Sequence, residues 1–218
     1  MSRTREATLM ALCLGAACVV AAWWHFGGAV DTSVRGRWRA VSQSPNGLTR
    51  EDDIEVPRSG RARLETTIRG EGRFEAADGA WRLVTTSGDR FHGTYAQPAP
   101  AEVTLRGFPF GGESWRRHGL PDGGGPLAGR WRAEADAADT VTVFVVDAEG
   151  RYHFSRLTER HPTLSARRGL WQLTGDGVSE SGGFATTEAG DLIVSLADRQ
   201  VTWRRRGPGA APAPPPAT

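Results

Sequence analysis

Val141-Thr-Val-Phe-Val-Val146, Asp147-Ala-Glu-Gly150 and Arg151-Tyr-His-Phe-Ser-Arg156 read, in that order, as a strand, a tight turn and a second strand. β-Branched residues dominate the first run, turn formers the middle one, and polar residues alternate with aromatic ones in the last. In the resulting hairpin Phe144, Val146, Tyr152 and Phe154 share one face, an apolar patch of the kind that seeds a β core. The other face of the first strand carries Val141, Val143 and Val145. A strand apolar on both faces is expected to be covered on both, the second by the other copy of the unit or by a partner.

The hairpin belongs to a unit that occurs twice. Six of the eight tryptophans fall at matching places, Trp38, Trp81 and Trp115 against Trp131, Trp171 and Trp203. Gly-Arg-Trp-Arg-Ala stands at 36 to 40 and again at 129 to 133, and Trp115-Arg116-Arg117 answers Trp203-Arg204-Arg205. Positions 50 to 83 lie on 140 to 173 without a gap, so the copies differ by short insertions that loops absorb cheaply.

In the first copy the inward positions of the hairpin become Ile54, Val56, Ala62 and Leu64, and the apolar pattern is kept. The outward one is not, since Glu51, Asp53 and Glu55 replace the three valines. This strand is expected to meet water. Shorter strands follow at Leu170 to Leu173, Gly183 to Thr186, Leu192 to Leu196 and Gln200 to Arg205, and no useful helical period occurs past the N-terminus. The expected fold is all-β, with two tandem small antiparallel barrels or barrel-like units, at 31–118 and 127–206, after a single N-terminal hydrophobic helix within 1–30. Residues 119–126 read as a linker, and 207–218, rich in proline and alanine, as a disordered tail.

Residues 7–26 contain no charged group if His25 is neutral, and a helix of about 20 residues spans the hydrocarbon core. Arg3 and Arg5 before it, and Trp23, Trp24 and Phe26 at its end, fit a signal anchor that holds a single-pass protein in the inner membrane, with the C-terminal part periplasmic or extracellular. Two other readings stay open. Val20-Ala21-Ala22 has the spacing of a signal-peptidase site, giving a secreted protein, and Leu14-Gly15-Ala16-Ala17-Cys18 resembles a bacterial lipobox.

All 27 basic residues are arginine, which reads as the codon bias of a high-GC, bacterial genome. The net charge of +2 falls to +1 once Arg3, Arg5 and Glu6 are set aside, so no overall field selects nucleic acid. Cys13 and Cys18 both lie in the apolar segment, which leaves the remainder without a disulfide or a reactive thiol.

Leu127-Ala-Gly-Arg-Trp131, Asp147-Ala-Glu-Gly-Arg-Tyr152, Gly169-Leu-Trp-Gln-Leu-Thr-Gly-Asp176 and Asp198-Arg-Gln-Val-Thr-Trp203 resemble the short bacterial lipocalin-like domains. These are relatives of the calycin barrels, in which a Gly-x-Trp opens the first strand and a late arginine covers that tryptophan. The resemblance implies structural pairs within each copy: Trp131 under one of Arg204, Arg205 and Arg206, and Trp38 under Arg116 or Arg117, by cation–π contact. Each copy is shorter than a full eight-stranded lipocalin.

Catalysis has little support. Val178-Ser-Glu-Ser-Gly182 lacks the spacing of a nucleophile elbow, and His92, His118, His153 and His161 show no metal-ligand spacing. Glu51, Asp52, Asp53 and Glu55 read as a solvated edge and not as a cation site. The chain is therefore expected to be non-catalytic, without cofactor or metal, a membrane-tethered interaction or structural module of the cell envelope. Val141, Val143 and Val145 are its candidate docking surface for an envelope protein. The alternative is a lipocalin-like binder of a small apolar ligand, lined by Phe144, Tyr152, Phe154 and Trp171, side chains that more often simply fill a core. A hydrolase is the distant third.

Overall fold

The computed structural model describes residues 30–44, 46–118, 125–134 and 137–207. The segment 7–26 and most of the 119–126 linker and of the tail lie outside these, so the anchor, signal and lipobox readings do too. Among the described residues no helix is long and apolar enough to cross a membrane.

The described residues are all-β apart from one 3-10 turn, Thr32–Val34. The first copy supplies β1 (Gly36–Gln43), β2 (Thr49–Val56), β3 (Arg63–Ala77), β4 (Ala80–Thr85), β5 (Arg90–Ala99), β6 (Glu102–Arg106) and β7 (Ser114–Arg117). From the second come β8 (Gly129–Ala133), β9 (Thr140–Val146), β10 (Arg151–Arg160), β11 (Thr163–Arg167), β12 (Leu170–Gly175), β13 (Val178–Thr186), β14 (Leu192–Leu196) and β15 (Gln200–Arg205). The hairpin read from 141–156 is present as β9 and β10, with Phe154 opposite Phe144 and Tyr152 opposite Val146.

β3 to β10 pair in order with their neighbours, and β10 pairs in turn with β3, which closes eight antiparallel strands into a barrel. Closure removes the sheet edges that would otherwise recruit other chains. This barrel lies in a compact unit comprising residues 39–54 and 64–160. Its inward positions include Phe74, Trp81, Leu83, Val103, Leu105, Trp115, Trp131, Phe144, Val146, Tyr152 and Phe154. The other unit takes the described residues of 1–38, 55–63 and 161–218. There β11 to β15 form an antiparallel run, β1 lies beside β15, and Arg61 bridges Thr163. Its buried residues include Val34, Trp38, Val56, Ala62, Leu164, Ala166, Trp171, Leu173, Leu192, Val194 and Trp203.

The compact units thus divide the chain differently from the expected 31–118 and 127–206, because each draws strands from both copies. The physical reason lies in the β3–β10 ladder. Thr67 and Leu157, equivalent positions of the two copies, stand directly opposite one another, so Leu64 pairs with Arg160 and Arg73 with Arg151. The hairpin of one copy closes against the long third strand of the other instead of folding back on its own.

Candidate functional site

The two Gly-x-Trp signatures open β1 and β8. Trp38 donates its indole N–H to the Val34 carbonyl at 2.8 Å, and Trp131 donates to Leu127 at 2.9 Å. Arg205 lies 4.4 Å from the Trp38 ring centroid, and Arg117 lies 4.4 Å from that of Trp131. Each guanidinium also donates to a backbone carbonyl, Arg205 to Ser33 at 3.1 Å and Arg117 to Ala128 at 2.7 Å. The glycine leaves the space: a Cβ at Gly129, where φ is 130°, would come within 2.9 Å of the Arg117 guanidinium. The expected clamps exist, but with partners exchanged. Trp38 is covered from the second copy and Trp131 from the first, as the exchange of strands requires. Arg116 instead pairs with Glu134 at 2.8 Å and Glu102 at 3.7 Å, and Arg204 is solvent-exposed.

The candidate ligand-lining residues divide between the two units. Phe144, Tyr152 and Phe154 belong to the closed barrel, whereas Trp171 lies in the other unit. Inside the barrel, Phe108 from the β6–β7 loop lies within 5.1 to 6.4 Å, centroid to centroid, of Trp81, Phe110, Trp115, Phe144 and Phe154. An eight-stranded barrel is just wide enough for side chains to fill, and these rings fill it. The Tyr152 hydroxyl has no partner among the described residues, and burial, helped by the Glu71 charge, raises its pKa far above the ordinary phenol value. The Trp171 indole N–H is likewise unpartnered among the described residues.

The outer face of β9 departs from expectation on both counts. Val141 is 38 % exposed beside Leu157, also 38 % exposed, and Val143 and Val145 are half-buried, so the second face of this strand has no full cover. The acidic counterparts do not simply meet water. Asp53 and Glu51 retain only 24 % and 18 % of their side-chain exposure. Arg39 donates to both oxygens of Asp53, at 2.8 Å to the nearer one, and lies 3.7 Å from Glu51, which Arg69 approaches to 3.4 Å. The Asp53 carboxylate raises the Arg39 pKa further. Glu55, the most exposed of the three, pairs with Arg37 at 3.3 Å.

A depression of about 530 Å³ is lined by Arg116, Arg117, His118, Arg132, Glu134 and Thr140. Arg130 and Arg132 of β8 carry no expectation from the sequence above. The signal was present, because both arginines are retained from Arg37 and Arg39 while the acids opposite them become valine. No group of His, Cys, Asp or Glu among the described residues is placed to hold a metal ion. His153 stands outward, 3.4 Å from Glu71, and Ser179 and Ser181 lie within strand β13.

No protein-family model, curated protein or solved structure matches this chain.

Proposed function

We propose that this chain is a non-catalytic interaction module of a bacterial cell envelope, tethered by residues 7–26 and presenting the outer face of β9, through Val141, Val143 and Val145, to a partner protein. One observation carries the reading. The closed barrel is occupied by its own aromatic rings, which moves binding to the outside, and the most apolar outward strand is the one where the two copies diverge. Native mass spectrometry of the full-length protein from mild detergent is expected to give a clean apo mass. Val143→Glu is expected to abolish a crosslinked partner while the near-ultraviolet dichroism of the packed rings persists. Collapse of the fold would make Val143 a core residue and end this reading.

The unpartnered Tyr152 hydroxyl favours a second reading, a small apolar ligand whose polar end meets that oxygen inside the barrel. A retained adduct in the wild type that Tyr152→Phe loses would establish it in place of the first.

A further inference from the structure

β8 and β9 carry an unfilled version of a contact that β1 and β2 complete. In the first copy Arg37 meets Glu55 and Arg39 meets Asp53. The equivalent arginines, Arg130 and Arg132, stand opposite Val145 and Val143 in the β8–β9 ladder. Both are solvent-exposed, and neither has a carboxylate partner among the described residues. The next strand deepens the imbalance, since Arg116 lies directly opposite Arg132 and its two acids, Glu102 and Glu134, are already engaged by it. Two cations therefore sit two residues apart on one face of β8, a repeat of about 6.6 Å. Alternate side chains of a second extended strand have the same spacing.

We infer that this face binds an extended acidic segment of a partner protein, with carboxylates at alternate positions seated on Arg130 and Arg132 and its backbone over the valines. Arginine is suited to this, because its planar fork takes the two oxygens of a carboxylate through two hydrogen bonds, as Arg39 takes Asp53. The inference rests on the docking reading above and names the chemistry of its partner. Val143 and Val145 make room for that segment by withholding the internal acids.

The test uses full-length protein in phosphatidylcholine nanodiscs and a fluorescein-labelled peptide Thr-Glu-Thr-Asp-Thr-Glu-Thr, read by fluorescence anisotropy. The peptide is expected to bind saturably, and at least tenfold more weakly after its acids are changed to Gln and Asn. Arg132→Gln is expected to cost a similar factor. Val143→Asp with Val145→Glu, which rebuilds the internal pairs and keeps both arginines, is expected to remove binding. Equal binding of the neutral peptide, or undiminished binding by either variant, overturns the inference. So does preference for phosphatidylglycerol vesicles over the peptide. If a partner still crosslinks at Val143 while the acidic peptide fails, the acidic specificity falls and the docking reading stands. Should the double variant fail to fold, the exposed Arg132→Gln variant carries the test alone.

Discussion

Thr67 faces Leu157 across the β3–β10 ladder, and each is the other's equivalent in the repeat. Neither copy can therefore complete the barrel from its own strands. Expressed separately, fragments 1–122 and 123–218 are expected to lack the near-ultraviolet dichroism of packed tryptophans, and to regain it when mixed. A half that folds alone as a monomer would refute this.

Arg117 stacks on Trp131 and donates to the Ala128 and Pro100 carbonyls. Arg117→Ala is expected to lower stability by about 1–3 kcal/mol, from the lost cation–π contact and the charge-assisted hydrogen bonds. Arg117→Lys should recover only part of that, because an ammonium cannot span two carbonyls while lying flat on the indole. Urea unfolding measures both.

Phe108 reaches five rings from a loop, so its loss cannot be repaired by a neighbour's rotation. Phe108→Ala is expected to cost about 3–5 kcal/mol and to leave a dry cavity. The variant should then bind benzene, detected as a rise in melting temperature, whereas the wild type should not. Benzene binding by the wild type would mean that the barrel already holds open space.

Asp31 caps the 3-10 turn. It accepts from the Ser33 backbone N–H at 2.9 Å and from its hydroxyl at 2.8 Å, and these hydrogen bonds hold its carboxyl below the usual pKa. A depressed folded-state pKa adds stability above the unfolded value, and that stability is lost as pH falls through the folded one. The melting-temperature gap between wild type and Asp31→Ala is therefore expected to be full at pH 6 and to shrink below about pH 4, in line with the reference Asp value. A gap independent of pH would show that the carboxylate charge is not what caps the turn.

Much of the local structure was legible. The alternation in Arg151–Arg156 placed Tyr152 and Phe154 inward, and Ile54, Val56, Ala62 and Leu64 are buried as their pattern required. Pairing between copies was not legible, because Trp38 meets the same chemistry under Arg117 as under Arg205, and a repeat says which residues are alike without saying which ones meet. Glu51 and Asp53 pair with Arg39 where their pattern alone predicts a solvated edge, because acidic residues alternating on a strand count as solvated until an opposing arginine is placed. Phe108 and Phe110 escaped notice for a different reason: they sit in a glycine- and proline-rich loop, a composition that marks surface connections and not the plug of a barrel.

The exchange of strands also has a consequence in time. On the ribosome β3 emerges long before β10, and at ordinary elongation rates its edge stays unpaired for on the order of ten seconds. Trp38 waits longer still, until Arg205 arrives near the end of the chain. A nascent chain of this kind presents a bare strand edge to whatever it meets, so its yield in the cell should depend on how quickly translation runs between Ala77 and Arg160, and on chaperones that shield the edge meanwhile.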